Sequence, residues 1–581
     1  MTSSADAGTS TAIDLGILPG GDPICLSDGW CWQNPLPQGN GLNGIWATEG
    51  RMWVVGKRGA ILSHDGTRWT PEESGTRAEL IGISGSGTDD VWAVGENGSA
   101  VHYDGKAWHP SPTGVTAELT GIWARAPKDA YAVGGEGLLL HFDGKAWKRE
   151  ESGTKADLTG IWGHGKTLIA VGDGGSVIRS DGDGFHEHVL PARPNLLAVW
   201  GTGPDNVFVA GSPGDPLYRF DGKAWNSMPS ATPENRRAIS GTGKSSAFSV
   251  GDVGEVTLFD GHEWRSEGRL PVGEAAGIWQ SAKGEVVVVG PEGKTFHRVG
   301  GAWKRHPTAT YRRLLGIWGN GPKDIWAVGE QGTILHFDGT KWSVRESGTN
   351  EYISAVGGRS GDDLIAVGMR GLLLRWNGER WAAETSVVKD VLSAVWNGSP
   401  RDAVVVGRGG VILRFDGKSW KLEQSGSTRW LNGLWAASRE DMFAVGEDGT
   451  VLHYDGKAWK AQPSGTHAYL TAVWGRGPKD VFAVGHAGTA IHYDGKQWKP
   501  AGKGLEDFAE RKELLHAIWG SGPRDVWATG SAGTIVHFDG TRWRTSTERA
   551  GLVVTGVWGS SADDVYAVGW DGMILHRSAK R

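Results

Sequence analysis

Histidine recurs at one position of a repeated segment. If these imidazoles clustered in the fold, they could bind a metal ion. Eight copies carry the histidine near the end of their third strand: His102, His141, His297, His336, His453, His492, His537 and His576. A zinc site would need several imidazoles within about 2 Å of one ion. The copies belong to separate sheets, and packed sheets lie about 10 Å apart. The spacing therefore predicts histidines on strand surfaces and no metal site.

Three pairs of adjacent carboxylates precede the second strand of their copies: Asp89-Asp90, Asp362-Asp363 and Asp563-Asp564. Acid–base cleavage of a glycan needs two carboxyl groups about 5–9.5 Å apart that face one cleft. Adjacent aspartates at a turn are more typical of residues that end the turn. No nucleophile elbow, phosphate loop, zinc spacing or dinucleotide fingerprint occurs. We expect no catalytic residue and no cofactor; a glycan hydrolase or lyase is the alternative.

Large aromatic, methionine and arginine side chains interrupt the small or charged residues of the connections between strands. The candidate binding residues are Tyr311, Arg312, Tyr352, Met369, Arg408, Trp430, Tyr469 and Trp570. Such side chains are enriched where proteins bind each other, because they bury a large area. The flat rings of tryptophan and tyrosine also stack on sugars. The alternative is that these side chains brace a loop against the next sheet.

The two cysteines of the chain, Cys25 and Cys31, flank an Asp-Gly pair. Their proximity predicts a disulfide and an oxidising compartment, and two free, buried thiols are the alternative. With a disulfide, we expect an export signal or a lipid anchor upstream of the given sequence. Residues 1–20 are small, polar and non-periodic, which predicts a disordered tail.

All of these residues belong to a repeat that runs along the chain fourteen times. Each copy reads as four short strands, a to d, and strand d begins at an aromatic residue after an Asp-Gly pair. Repeats of about 40 residues with four strands are typical of β-propeller blades. The strand-d aromatic residues are Trp69, Trp108, Trp147, Phe185, Trp225, Trp264, Trp303, Trp342, Trp381, Trp420, Trp459, Trp498 and Trp543.

The last copy lacks its strand d, and the missing strand is found at the other end of the chain. Ser27 to Trp32 repeats the Asp-Gly-x-x-Trp pattern before the first strand a. We expect this N-terminal strand to complete the last blade, since pairing the chain ends satisfies free edge-strand groups. The favoured arrangement is two seven-bladed rings, and one fourteen-bladed ring is the alternative. The predicted divisions are a tail at 1–20, a closure strand at 21–41, blades 1–7 at 42–313 and blades 8–14 at 314–581.

Glycine and tryptophan occupy fixed positions of the repeat. Glycine follows strand b in all fourteen copies, which predicts a turn with positive φ. Asp-Gly or Asn-Gly occupies thirteen of the fourteen c–d turns, which predicts a type I′ turn with two positive φ values. The tryptophans of strands a and d are predicted to fill the core between blades. Six extra residues between copies 12 and 13, within 499–514, predict a short amphipathic helix over the ring face.

The turn segments His336 to Trp342 and Ser63 to Trp69 resemble the Asp-box of bacterial neuraminidase-type (BNR) repeats. The whole repeat, over residues 24–581, is similar to photosystem II assembly-factor-like propellers and to Trp-rich propellers secreted by bacteria. The resemblance implies a propeller fold. In the sialidase-like members the Asp-box is a structural hairpin remote from the catalytic centre, so the resemblance carries over no activity.

Composition and hydropathy argue against nucleic acid as a partner and against a membrane span. The net charge is −6 and charged residues make up 22% of the chain, so no global basic field indicates nucleic acid. No apolar run is long enough to span a membrane. The sequence favours a non-enzymatic extracellular or cell-surface scaffold that binds a protein through its d–a and b–c loops. A lectin-like binder of extracellular polysaccharide and an assembly factor for a larger complex are the alternatives.

Overall fold

The computed structural model describes residues 16–17, 29–34, 41–48, 50–65, 69–214, 217–229, 234–270, 273, 275–305, 312–547 and 553–578. These residues form fourteen antiparallel sheets of four strands, one of which takes a fifth. The predicted all-β propeller with four-stranded blades is confirmed. Two compact units divide the chain: unit 1 comprises Met1–Ile24 and Leu36–Pro307, and unit 2 comprises Cys25–Pro35 and Thr308–Arg581.

Two short strands, β1 (Gly16–Ile17) and β2 (Trp30–Asn34), precede the sheets. Sheets 1–7 follow in unit 1, with their strands in the order a, b, c, d from the inner to the outer edge. The strands of sheets 1–7 are β3 (Leu42–Thr48), β4 (Arg51–Gly56), β5 (Ile61–His64), β6 (Trp69–Glu72); β7 (Leu80–Gly87), β8 (Asp90–Gly95), β9 (Ala100–Tyr103), β10 (Trp108–Pro110); β11 (Leu119–Ala126), β12 (Asp129–Gly134), β13 (Leu139–Phe142), β14 (Trp147–Glu150); β15 (Leu158–His164), β16 (Thr167–Gly172), β17 (Ser176–Ser180), β18 (His186–Val189); β19 (Leu196–Gly203), β20 (Asn206–Gly211), β21 (Leu217–Phe220), β22 (Trp225–Met228); β23 (Arg236–Gly243), β24 (Ser246–Gly251), β25 (Glu255–Phe259), β26 (Trp264–Arg269); β27 (Gly277–Gln280), β28 (Val286–Val289), β29 (Thr295–Val299), β30 (Ala302–Arg305).

Sheets 8–14 of unit 2 have the same strand order, and one helix, α1 (Glu506–Glu510), lies between sheets 12 and 13 in the chain. The strands of sheets 8–14 are β31 (Leu314–Gly321), β32 (Asp324–Gly329), β33 (Ile334–Phe337), β34 (Trp342–Arg345); β35 (Ile353–Ser360), β36 (Asp363–Gly368), β37 (Leu373–Trp376), β38 (Trp381–Ala383); β39 (Leu392–Ser399), β40 (Asp402–Gly407), β41 (Ile412–Phe415), β42 (Trp420–Glu423); β43 (Leu431–Ser438), β44 (Asp441–Gly446), β45 (Val451–Tyr454), β46 (Trp459–Ala461); β47 (Leu470–Gly477), β48 (Asp480–Gly485), β49 (Ala490–Tyr493), β50 (Trp498–Pro500); β51 (Leu515–Gly522), β52 (Asp525–Gly530), β53 (Ile535–Phe538), β54 (Trp543–Thr547); β55 (Val554–Ser561), β56 (Asp564–Gly569), β57 (Ile574–Ser578).

The N-terminal strand β2 completes sheet 14, as the sequence predicts. It pairs antiparallel with β57, with Trp30 opposite Arg577 and Trp32 opposite Leu575. Both tryptophans are at most 1% exposed. The outer edge of β57 is therefore covered by a strand from the start of the chain, which removes its free backbone groups from solvent.

β1 lies within the segment predicted to be a disordered tail. Gly16 and Ile17 pair in parallel with Lys304 and Arg305 of β30. β30 is the outer strand of sheet 7, and a free edge offers unpaired backbone groups to an extended segment. The structure differs from the prediction at these two residues, and the rest of residues 1–20 lies outside the described part of the chain.

In each unit, strand a of the last sheet lies beside strand a of the first sheet. In unit 1, β27 of sheet 7 packs beside β3 of sheet 1, where the Leu42 N–H donates to the Gly290 carbonyl at 3.0 Å. Strand a of all seven sheets of unit 1 lines one cavity. In unit 2, β55 of sheet 14 packs beside β31 of sheet 8, where Thr555 Oγ1 donates to the Leu314 carbonyl at 2.6 Å.

The glycine that ends strand b is required because a side chain has no room there, and not because of the predicted positive φ. Gly95 has φ −178°, which is extended backbone that any residue adopts. A Cβ on Gly95 would lie 1.9 Å from the Glu79 carbonyl oxygen, so a side chain has no room there. The left-handed residues come later in the same turn, at Asn97 with φ 55° and Gly98 with φ 65°. The prediction of positive φ at the first glycine was wrong because close packing, not a turn, selects it.

The c–d turn also differs from the predicted type I′ geometry. In Asp338-Gly339 only the glycine has a positive φ, at +92°. Asp338 Oδ1 instead accepts the backbone N–H groups of Thr340 at 2.8 Å and Lys341 at 3.0 Å. An aspartate side chain that binds the backbone two residues later stabilises such a turn directly. The Asp-Gly pair thus sets the hairpin through its carboxylate and one flexible residue.

The predicted tryptophan core is confirmed for strand d and modified for strand a. Strand-d rings such as Trp420 are 3% exposed, and Trp543 is 1% exposed. Strand-a rings such as Trp558 are half-buried. The edge of Trp558 lies 2.5 Å from the position that a Cβ on Gly319 would take. The strand-a ring therefore covers a glycine of the next sheet.

The extra residues between sheets 12 and 13 form the predicted helix, α1. Phe508 of this helix is 3% exposed, and Leu505 just before it is 9% exposed. Both pack into a core with Phe482 of sheet 12 and Phe538 and Trp543 of sheet 13. The helix thus fills the seam between two sheets of unit 2.

Candidate functional site

The b–c turns and the d–a connections leave each antiparallel sheet at the same end. We call this end of unit 2 its upper face, and the opposite end, with the a–b and c–d turns, its lower face. The predicted binding residues occupy two equivalent positions of the upper face. One position immediately precedes strand a (Tyr352, Trp430 and Tyr469), and the other begins the b–c turn (Met369, Arg408 and Trp570). Tyr311 lies outside the described residues.

Trp430 and Arg408 meet across the boundary between sheets 10 and 11. The Arg408 guanidinium carbon lies 5.7 Å from the centroid of the Trp430 ring, within cation–π range. Trp430 Nε1 donates to Ser393 Oγ of strand β39 at 2.7 Å. The ring is half-buried and Arg408 is exposed. Trp430 therefore binds the neighbouring sheet with its edge and presents part of one face beside a cation.

Trp570 forms the equivalent contact between sheets 14 and 8. The guanidinium carbon of Arg313 lies 3.9 Å from its ring centroid, and Arg313 also pairs with Glu330 at 3.5 Å. The residue predicted from the sequence is the neighbouring Arg312, whose guanidinium donates to the Gln331 carbonyl at 3.1 Å. Arg313 was missed, although it stands immediately before strand a, the position that Trp430 holds in its own copy.

Tyr469 joins sheets 11 and 12. Its hydroxyl donates to Asn432 Oδ1 at 2.9 Å, and Asn432 Nδ2 donates to the Leu470 carbonyl at 2.9 Å. Burial raises the pKa of Tyr469, so the phenol is a neutral donor at physiological pH. Beside it, Asp448 pairs with Arg429 at 2.9 Å and with His467 at 3.0 Å. Hydrogen bonds and ion pairs therefore connect the side chains in this part of the upper face.

Tyr352 and Met369 are the most exposed members of the predicted set that are not charged. Tyr352 is 37% exposed and Met369 is 40% exposed. Their backbones meet, because the Met369 N–H donates to the Tyr352 carbonyl at 3.0 Å. Val387 in the following d–a connection is 58% exposed. Within the described residues, no hydrogen bond engages the side chains of Tyr352 and Met369.

The upper face thus contains two kinds of side chain. Trp430 and Tyr469 brace one sheet against the next, which is the alternative that the sequence left open for these residues. Tyr352 and Met369 offer apolar surface to solvent. Flat rings and guanidinium groups that are already held in place lose little conformational entropy when a partner covers them.

Unit 1 carries different chemistry at the position before strand a. Its described residues there are Gly41, Glu79, Glu118, Asp157, Asn195 and Asn235. Several of these side chains satisfy local groups; for example, Asn43 Nδ2 donates to Glu79 Oε1 at 2.8 Å. The aromatic and arginine residues at this position belong to unit 2 alone within the described residues. The repeat keeps the backbone and changes the side chains that face solvent.

The recurrent histidines are not simple strand-surface residues. Seven of them lie between 2.7 and 3.0 Å from an aspartate at the start of strand b of the same sheet. Each also stacks on a strand-b aromatic ring, as His576 does on Tyr566 with centroids 4.1 Å apart. In sheets 9 and 10 an arginine replaces the histidine, and Arg414 pairs with Asp402 at 2.9 Å. These side chains are half-buried pairs that tie strand c to strand b.

The paired carboxylates contribute to the same contacts. Asp90 is 4% exposed and accepts from Trp92 Nε1 at 3.2 Å, while its other oxygen accepts from Ser86 at 2.5 Å. Burial raises the pKa of Asp90, but hydrogen bonds from His102, Ser86 and Trp92 outweigh burial and lower it overall. Within the described residues, no group of three or more histidine, cysteine or acidic side chains is arranged to hold a metal.

The cysteine prediction concerns a segment that is described only in part. Cys31 lies in β2 opposite His576. Cys25 lies outside the described residues, so the disulfide and the oxidising compartment stay predictions. Over the described ranges, no helix is both long and apolar enough to cross a bilayer.

Comparison with known proteins places the chain among propellers. No known protein family and no curated protein matches it. YCF48 from Cyanidioschyzon merolae is 17% identical over 47% of this chain and 98% of its own, with a TM-score of 0.40. YCF48 bound to D1 peptide is also 17% identical, over 47% of this chain and 93% of its own, with a TM-score of 0.40.

PorZ is similar over nearly the whole length. It is described as an essential bacterial surface component of the type-IX secretion system of Porphyromonas gingivalis. The identity is 11% over 95% of this chain and 87% of PorZ, with a TM-score of 0.65. The predicted resemblance to assembly-factor-like propellers is confirmed. At these identities the likeness establishes the fold, and the Asp-box likeness stays a prediction.

Proposed function

We propose that this chain is a non-enzymatic protein-binding scaffold whose binding surface is the upper face of unit 2. The observation that carries the proposal is the contrast between equivalent positions of the two units. Blade 9 has Tyr352 before strand a and Met369 at its b–c turn, where blade 2 has Glu79 and Glu96. Exposed tyrosine, methionine and arginine on one unit are the residue types enriched at protein interfaces.

The rigidity of this surface supports the same function. Trp430 and Tyr469 are held by hydrogen bonds to the neighbouring sheets, at 2.7 and 2.9 Å. Arg313 lies 3.9 Å above the ring of Trp570. A partner that covers these groups finds them already ordered, which lowers the entropic cost of binding. We place the partner outside the cell or at its surface, in keeping with the predicted disulfide of Cys25 and Cys31.

We also propose that each unit is a closed seven-bladed ring, with blades 1–7 in unit 1 and blades 8–14 in unit 2. The support is the contact of β27 with β3 in unit 1 and of β55 with β31 in unit 2. The proposed boundary between the rings lies near residue 313. The upper face of unit 2 is then a rim around a channel.

The test is capture of a partner with a matched pair of variants. Tyr352→Ala/Met369→Ala removes exposed apolar surface without breaking a side-chain hydrogen bond. Glu118→Ala/Glu136→Ala changes exposed residues of the d–a connection and the b–c turn of blade 3, again without breaking a side-chain hydrogen bond, and is the control. We expect the wild-type protein and the control to retain a stoichiometric protein from native cells, and the first variant to weaken its binding by at least about tenfold.

Three results would contradict the proposal. Equal capture by both variants would move the partner away from this face. Binding of a polysaccharide on a glycan array, lost in the Tyr352/Met369 variant, would establish the lectin-like alternative. Turnover of a polymer would establish the glycan-active enzyme instead.

A further inference from the structure

The lower face of unit 2 carries a second surface with a different chemistry. Its a–b and c–d turns hold exposed lysines and arginines that form no ion pair within the described residues. These cations are Lys323, Lys341, Arg380, Arg401, Lys418, Lys457, Lys479, Lys496, Arg524 and Arg542. We call this set the basic lower face, and most of its members belong to sheets 10–13.

The aspartates nearest to these cations are already bonded to other groups. The c–d turn carboxylates of sheets 10–13 pair with a cation on strand d, at 2.5 to 3.1 Å, in the pairs Asp416–Lys421, Asp455–Lys460, Asp494–Lys499 and Asp539–Arg544. The strand-b aspartates are engaged by strand c, as Asp480 is by His492 at 2.7 Å. Lys418, Lys457 and Lys496 form no ion pair within the described residues. In sheets 10–13 only Glu440, beside Gly456, brings a carboxylate of the a–b turn to the adjacent c–d turn.

The cations of the two turns converge because one packs over the other. Lys479 Cγ lies 2.7 Å from the position that a Cβ on Gly495 would take, and Arg524 Cγ lies 2.4 Å from the equivalent point at Gly540. The stem of each a–b cation thus crosses the glycine of the adjacent c–d turn. The cation of that c–d turn follows the crossed glycine within two residues, as Lys496 follows Gly495. Sheets 12 and 13 each present such a pair.

The basic lower face has no aromatic ring, among the described turn residues, on which a sugar or a base could stack. None of the a–b and c–d turns of sheets 8–14 within the described residues contains an aromatic residue. Sugars and unpaired bases are held largely by stacking on aromatic rings. Lysines and arginines at one end of adjacent sheets can instead attract an extended anionic surface through their charge alone. Each basic residue near an anionic leaflet contributes about 1 kcal/mol of attraction.

We propose that the basic lower face of unit 2 docks on a lipid bilayer that carries anionic headgroups. The contact is electrostatic and peripheral, and it leaves the upper face free at the opposite end of the sheets. The inference is independent of the protein partner proposed for the upper face.

The test uses the full chain and sedimentation with vesicles. Vesicles of phosphatidylcholine with about 30% phosphatidylglycerol are compared with vesicles of phosphatidylcholine alone. The variant is Lys418→Glu/Lys457→Glu/Lys496→Glu, which copies the glutamate that blade 9 already carries at this turn position, Glu379. The control is Lys155→Glu/Lys389→Glu/Lys512→Glu, which makes the same charge change in exposed d–a connections.

We expect the wild-type protein and the control to bind the anionic vesicles and the variant to bind at least about tenfold more weakly. Salt at about 0.5 M should abolish binding, because it screens exposed charges. Unchanged circular dichroism shows that the variant is folded. Binding that is equal for variant and control, binding to neutral vesicles, or capture by a soluble acidic polysaccharide but not by vesicles would each overturn the proposal.

Discussion

At the residue scale, the outer tryptophans show how one polar contact is repeated between blades. Trp420 Nε1 donates to Glu384 Oε2 at 2.6 Å, and Trp459 Nε1 donates to Glu423 Oε2 at 3.0 Å. The glutamate is the last residue of strand d of the preceding sheet, or the residue just after it. Trp381 has Arg345 at that position, and its indole N–H is buried without an acceptor in the described residues. A buried donor without a partner costs stability.

Arg345→Glu should therefore stabilise the protein. The new carboxylate would accept from Trp381 Nε1 and reach His336, as Glu150 reaches His141 at 2.9 Å. We expect the free energy of unfolding to rise by about 1 kcal/mol, measured by urea denaturation. Arg345→Leu removes the arginine without supplying an acceptor and is the control. A gain of the same size in both variants would show that loss of the arginine, not the hydrogen bond, is responsible.

Acid sensitivity is the second prediction at this scale. Burial raises the pKa of Asp564, but hydrogen bonds from His576 and Ser560 outweigh burial and lower it overall. A carboxylate with a lowered pKa in the fold stabilises the protein above its ordinary pKa of about 3.9. That stability is lost as the pH falls through the folded pKa. Asp564→Asn should remove this contribution.

We expect Asp564→Asn to unfold more easily at pH about 7 and to lose less stability than the wild type between pH about 5 and about 3. Urea midpoints across this range measure the difference. Asp563→Asn changes the adjacent exposed carboxylate and is the control. A wild-type pH profile in the Asp564 variant would disprove the contribution of this pair.

At the scale of elements, the decisive strand is the one that comes from the other end of the chain. Trp30 of β2 is 0% exposed, and its ring meets Trp527 of sheet 13 at a centroid distance of 5.7 Å. β2 therefore completes sheet 14 and also fills the core toward sheet 13. Its loss would expose β57 and empty the space beside Trp527.

Trp30→Ala should destabilise unit 2 by about 3–5 kcal/mol, because it leaves a cavity in a filled core. Hydrogen exchange measured by mass spectrometry should show faster exchange in β55–β57, while β3–β30 keep their protection. Trp303→Ala, in strand d of sheet 7, is the matched change in unit 1, where Trp303 is 4% exposed. Faster exchange in unit 1 from the Trp30 variant would contradict the assignment of β2 to unit 2.

At the scale of the whole molecule, composition conceals how charge is distributed. The net charge is −6, which by itself predicts no global basic field. The fold nevertheless places cations without an ion pair, among the described residues, on the turns at one end of sheets 10–13 and aromatic residues at the other end of unit 2. The c–d turn carboxylates of these sheets pair with lysines or an arginine of strand d. A chain that is acidic overall therefore presents a basic surface.

The amino-acid sequence by itself determined the four-stranded repeat, the helix between copies 12 and 13, and the completion of the last blade by the N-terminal strand. These features are encoded locally, by turn residues, apolar periodicity and a constant spacing. Only the tertiary structure decided which side chains meet between blades. Arg313 reaches Trp570 and Trp30 reaches Trp527 from distant parts of the chain, and Gly95 is required by the carbonyl of Glu79. Such contacts depend on how strands from separate copies pack, which no local pattern records.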